Sequence, residues 1–194
     1  MTDLLELFAN LEQAEGPVVL ATPLALDGPG LPPGGWFILA AAAAIPALGA
    51  EVQAVLAAGG TRQATLELGP ALPLPALAGR TGTATLLLER IVPGKLPPWL
   101  HFCAQQLKRG SSCVLATVAA VAGGLPYAVG ERFSYDERSH GMLPMDGRFS
   151  LELQRACLRA RAAGQPIRER FSFPSGALEL NLELLGAQAQ GPRP

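Results

Sequence analysis

Val19-Leu20-Ala21-Thr22 recurs as Val114-Leu115-Ala116-Thr117, a shift of 95 residues, and this pair decides how the chain is read. At the same shift Gly28 meets Gly123 and Gly35 meets Gly130, so the spacing between two glycines repeats along with the tetrapeptide. Self-similarity at a fixed period marks a repeated structural unit, and here it predicts a duplication. Upstream of each tetrapeptide lies a helix-period segment: Leu4, Leu5, Leu7, Phe8 and Leu11 before the first, Trp99, Leu100, Phe102, Cys103 and Leu107 before the second. Downstream, Leu48 to Leu68 aligns with Leu153 to Phe173 at a shift of 105, with Ala57-Ala58-Gly59 facing Ala162-Ala163-Gly164. The first copy is therefore shorter by about ten residues. Gly59 and Gly164 each follow a helical pattern and fit the left-handed position that ends a helix. Thr83 to Ile91 and Ala177 to Leu185 close the copies as alternating strands, with Leu178, Leu180, Leu182 and Leu184 the cleaner of the two.

The order per copy is helix, strand, Gly/Pro loop, strand, helix, strand, strand. This predicts an α+β protein of two tandem copies of a small mixed-sheet module with helices, packed as a covalent pseudo-dimer. Val92-Pro93-Gly94-Lys95-Leu96-Pro97-Pro98 reads as the linker, because proline ends strands and favours extended chain. The expected domains are residues 1–91, a linker over 92–98, a second module over 99–186, and a frayed tail over 187–194. Gly69 to Gly82, rich in proline and alanine, reads as a surface loop.

Composition narrows the function classes. The formal charge is −1 and the pI about 6.1, so the basic footprint of a nucleic-acid binder is missing. Only 16% of residues are charged and the mean hydropathy is +0.26, which predicts apolar surface shared between modules or between chains, hence self-association. Trp36 to Ala50, the most apolar run, contains Pro46 and falls short of the ~20 residues of a membrane span, so it reads as core. The amino terminus carries Asp3 and Glu6 without the basic residues of a secretory signal, so a cytoplasmic protein is expected. Cys103, Cys113 and Cys157 are odd in number and show no Cys-x-x-Cys spacing, so reduced core thiols are expected rather than disulfides or a zinc site.

The second copy offers the best candidate site. Gly123, Gly124 and Gly130 allow backbone amides to approach a ligand, and Arg132 follows where a guanidinium grips an anion bidentately. Alternation along the strand puts Arg132 and Gly130 on one face, with Phe37 at the aligned position of the first copy. The alternative is a plain turn with Arg132 on the surface. The polar segment Tyr135 to Arg148, with Asp136, Glu137, Arg138, His140 and Asp146, has no adjacent Ser or Cys nucleophile and reads as a solvated hairpin tip. Arg155, Arg159, Arg161, Arg168 and Arg170 read as a solvated face or as a surface for an acidic partner.

Val114-Leu115-Ala116-Thr117, Gly123-Gly124-Leu125-Pro126 and Gly130-Glu131-Arg132-Phe133, followed by Gly141, Ala162-Ala163-Gly164-Gln165-Pro166 and Gly176-Ala177-Leu178-Glu179-Leu180, resemble the amino-terminal module of the XdhC/CoxI family. The resemblance covers residues 99 to 185, with a weaker copy over 4 to 91. It implies a non-catalytic accessory protein that carries a molybdopterin-type cofactor transiently and assists a molybdenum enzyme of the xanthine or carbon monoxide dehydrogenase type, or its maturation machinery. The family's Gly-Gly-Cys and Cys-Gly-Gly motifs fall at Asp146-Gly147-Arg148 and Pro174-Ser175-Gly176, without either cysteine, and no Gly-x-Gly-x-x-Gly run of a Rossmann domain is present. Carried over by position, the resemblance adds Arg148 to Gly123, Gly124, Gly130 and Arg132 as cofactor-binding candidates. A structural or regulatory interaction module that keeps the fold without the cofactor is the alternative.

Overall fold

A computed structural model of the chain describes residues 4–26, 37–39, 45–69, 81–138 and 141–186. It divides into two compact units, Met1–Pro97 and Pro98–Pro194. Unit 1 runs α1 (Leu4–Gln13), β1 (Val18–Leu26), β2 (Phe37–Leu39), a 3-10 turn at Pro46–Leu48, α2 (Gly49–Ala58), β3 (Thr61–Leu68) and β4 (Gly82–Ile91). Unit 2 runs α3 (Pro98–Lys108), β5 (Cys113–Gly123), β6 (Arg132–Tyr135), α4 (Gly147–Ala163), β7 (Ile167–Phe173) and β8 (Gly176–Leu185).

Each unit holds a four-stranded sheet, ordered β2-β1-β4-β3 in one and β6-β5-β8-β7 in the other. The α+β class is as expected, but the mixed pairing is corrected: among the described residues every pair of neighbouring strands runs antiparallel. The physical reason is that β3–β4 and β7–β8 follow each other directly and return on themselves, while the segments carrying α2 and α4 re-enter at the far edge rather than beside a parallel neighbour.

The repeated tetrapeptides occupy equivalent places. Val19 to Thr22 and Val114 to Thr117 lie in the inner strands β1 and β5, and each inner strand is flanked by the equivalent pair of neighbours. The likeness extends to an irregularity: the register with the neighbouring strand shifts between Pro23 and Ala25, and again between Val118 and Ala120. Such a bulge suits Pro23, which has no amide to give to a ladder. One alignment needs correcting. Ala21 pairs with Phe37 and Ala116 with Phe133, so Phe37 corresponds to Phe133, and position 36 rather than 37 corresponds to Arg132. A one-residue slip matters because it exchanges the faces of a strand.

In unit 2, Val114, Ala116 and Val118 of β5 join Phe133, Leu178, Leu180 and Leu182 in a core closed by Phe149, Leu153, Ala156, Cys157 and Ala160 of α4. The alternate residues of β5, among them Cys113, Leu115 and Thr117, are buried on the other face, and α3 packs against β5 and β6. α3 buries Trp99, Leu100, Cys103 and Ala104, whereas Phe102 and Leu107 are only half-buried. In unit 1 the equivalent core is Val19, Ala21, Leu66, Leu86 and Leu88 with Val52 and Val55 of α2. α4 ends at Gly164 in the left-handed conformation, while Gly59 after α2 has positive φ with extended ψ. No helix among the described residues is long and apolar enough to cross a membrane. The expected loop over 69–82 falls for the most part outside the described residues, as do Gly28, Gly35, Trp36, His140 and the tail over 187–194.

Candidate functional site

The loop between β5 and β6 is built by closing its own backbone. Gly123, with φ +80°, faces Gly176 across the end of β5 and β8. The Gly124 amide donates to the Ser175 carbonyl at 3.0 Å, and the Gly130 amide donates to the Val118 carbonyl at 2.8 Å. Val118 in turn donates to the Glu131 carbonyl at 2.9 Å. Two of the amides expected to face a ligand, those of Gly124 and Gly130, are therefore engaged by backbone carbonyls.

Arg132 is placed by the alternation of β6 on the α3 face, and it is 8% exposed. Its guanidinium lies over the Trp99 ring, 4.4 Å from the centroid, with Nη1 3.5 Å from the Gly130 carbonyl. A planar cation stacked on indole keeps its charge compensated while its stem fills apolar space, which is how an arginine is held this deep. Across the sheet Arg132 pairs with Thr117, Thr117 with Asn181, and Asn181 with Arg168, a polar row in which the first three are buried. Arg148 stands apart in the first turn of α4, its side chain 85% exposed and Nε 3.3 Å from Glu152. The structure thus brings Gly130 and Arg132 together, sets Gly123 and Gly124 at the sheet end, and leaves Arg148 on the helix surface.

What the same end of unit 2 does form is a cleft of about 670 Å³. Its walls are Leu125, Pro126 and Tyr127 from the loop, Glu131, Arg132 and Phe133 at the start of β6, Met142 to Asp146 before α4, and Phe173, Pro174 and Ser175 at the β7–β8 turn. The 142–146 segment is held by a two-way bridge in which the Ser134 and Met142 amides donate to each other's carbonyls at 2.9 and 2.8 Å. Asp146 then caps α4, its Oδ1 accepting from the Phe149 amide at 2.9 Å. That cap fixes Phe149, fully buried, beneath the cleft: Tyr127 and Phe173 meet it edge-on at 5.3 Å between centroids, and Phe133 at 5.8 Å. Edge-to-face contacts of this kind add to what area burial gives and hold the rings in place.

Two carboxylates, Glu131 and Asp146, share this lining. Burial raises the pKa of the Tyr127 hydroxyl, and the charges of Asp146 and Glu131 raise it further, so the phenol stays protonated. Glu131 Oε2 accepts from the Ala128 amide at 3.2 Å. Four of the second-copy arginines are paired: Arg159 and Arg161 of α4 with Glu169 at 2.9 Å and Glu137 at 3.5 Å, and Arg168 and Arg170 of β7 with a shared Glu179 at 3.8 and 3.5 Å. These four form a solvated, ion-paired surface, and Arg155 is exposed on α4. Sequence reasoning passed over Tyr127, Met142, Met145 and Phe173. The signal for Tyr127 and Phe173 is the concentration of aromatic residues at 127, 133, 149, 171 and 173, and no such pattern marks Met142 and Met145.

No family model and no curated protein sequence matches the chain. Among solved structures, a xanthine dehydrogenase from Bacillus halodurans is similar, with a TM-score of 0.53 and 21% identity, over 79% of this chain and 48% of that one. The chain spans about half the length of that protein, and the likeness at this identity is one of fold.

Proposed function

We propose that the chain is a non-catalytic accessory protein that assists maturation or cofactor insertion of a molybdenum enzyme of the xanthine or carbon monoxide dehydrogenase type, with the cleft of unit 2 as its ligand site. The observation that carries this is the meeting of two distant segments. Residues 146–148 and 174–176 correspond to the cysteine motifs of the XdhC/CoxI family, and Asp146, Pro174 and Ser175 line the same cleft. The fold likeness to the xanthine dehydrogenase chain supports the reading.

A molybdopterin-type cofactor combines a planar fused ring with an anionic arm. The ring fits a cleft of aromatic, proline and methionine side chains in size and polarity. The arm does not find a cationic cradle here, because the guanidinium of Arg132 is stacked on Trp99. Tyr127, Phe133 and Phe173 would hold such a ring and exclude water. When bound, the group would supply the metal chemistry used by the recipient enzyme, and this chain would only hold and pass it on. The described thiols, Cys103, Cys113 and Cys157, are all buried, so none is offered to the cleft.

Native mass spectrometry of the gently purified chain, with capture of a molybdenum hydroxylase, tests the reading. A bound pterin together with captured enzyme supports it. The second reading is a structural or regulatory module, favoured by Arg148 and Pro174 standing where the family has cysteines. Capture of the enzyme without any pterin would favour that second reading.

A further inference from the structure

We infer that the cleft of unit 2 recognises a planar heteroaromatic ring through an edge of N–H donors, with Glu131 as the residue that sets this specificity. The inference rests on the reading above that this cleft is the ligand site, and it names the part of the ligand that is held. The walls select a flat apolar body: Tyr127, Phe133 and Phe173 offer ring faces and edges, and the exposed Met142 and Met145 offer polarizable thioethers.

Polar groups in the cleft then select among flat bodies. Glu131 and Asp146 line the cleft together with Tyr127. Each has one oxygen committed to backbone, Glu131 to the Ala128 amide and Asp146 to the Phe149 amide. The second oxygen of each takes no described hydrogen bond. A carboxylate oxygen only accepts, so the complementary ligand edge carries donors, as an amino group beside a ring N–H does. The same charges repel phosphate, and the nearest guanidinium is held on Trp99. An anionic arm therefore stays outside the cleft while the ring enters.

Calorimetric titration of the full chain with guanosine, inosine and inorganic phosphate tests this, since the two nucleosides differ by one exocyclic amino group. Guanosine is expected to bind about tenfold or more tightly than inosine, the effect of one hydrogen bond to a charged group, and phosphate is expected not to compete. Glu131→Gln is expected to bring the two nucleosides within about twofold of each other. Asp146→Asn, which keeps the helix cap, serves as the second variant and is expected to narrow the preference while leaving the melting temperature near wild type. Equal binding of the two nucleosides, a preference untouched by Glu131→Gln, competition by phosphate, or no nucleoside binding would each overturn the inference. Capture of a molybdenum enzyme does not depend on Glu131, so the functional reading is judged separately.

Discussion

The guanidinium of Arg132 lies 4.4 Å from the centroid of the Trp99 ring, joining the first turn of α3 to the edge strand β6. This contact makes Arg132 part of the packing of unit 2 rather than a hand held out to an anion.

Arg132→Ala is accordingly expected to lower the stability of the protein by about 2 kcal/mol, the scale of a desolvated cation–π contact. Urea denaturation measures it. Arg132→Lys, which keeps a cation but not a flat one, is expected to lose less. A wild-type midpoint in the alanine variant would show that the stacking contributes nothing.

Gly123 and Gly124 are adjacent but not equivalent. Gly123 has φ +80°, and a Cβ there would run into the Ser175 carbonyl, whereas nothing stands within 4 Å of a Cβ at Gly124. Gly123→Ala is expected to cost about 1–3 kcal/mol from backbone strain alone. Gly124→Ala is expected to stay within about 0.5 kcal/mol of wild type. Thermal melts of the two variants side by side read the difference, and equal losses would contradict the geometry.

The Asp146 carboxylate caps α4 by accepting from Phe149 at 2.9 Å. Asp146→Ala is expected to cost about 1 kcal/mol, and Asp146→Asn much less, because asparagine caps nearly as well. Denaturant midpoints at neutral pH separate the two.

Burial pushes the Cys157 thiol from 9.0 up to about 12, against a smaller opposing effect of Arg159. The folded state holds this proton more tightly than the unfolded one, so the contribution to stability is complete below pH 9 and is lost as pH rises toward about 12. Cys103 is raised as well, first by its hydrogen bond with Cys113 and then by burial, so it acts in the same direction. Stability is expected to fall across this alkaline window, and Cys157→Ala to flatten part of the slope. Chemical denaturation at a series of pH values shows it; an unchanged slope in the variant would remove Cys157 as a cause.

The duplication was legible because the tetrapeptides, the helix periods and the closing alternating strands are local patterns. The leucines at 178, 180 and 182 read directly as one buried face, and that is what they are. Phe37 was harder to place. Among the described residues β2 pairs over Phe37, Ile38 and Leu39, and so short a stretch without a clear alternation leaves its register open by one, which the pairing of Ala21 with Phe37 resolves.

The sequence by itself determined the order of elements, the repeated unit and the burial of Trp99 and the three cysteines, since each follows from periodicity within a dozen residues. Only the tertiary structure decided what Arg132 packs against and where the cleft lies. Alternation says that a side chain on β6 points to one of two faces, but which face receives α3 depends on the packing of the whole unit. The cleft likewise joins Tyr127, Asp146 and Phe173, brought together by the β5–β8 ladder, the Ser134–Met142 bridge and the cap of α4. Contacts between residues so far apart in the chain are set by strand register and helix docking, and no local pattern in the sequence encodes them.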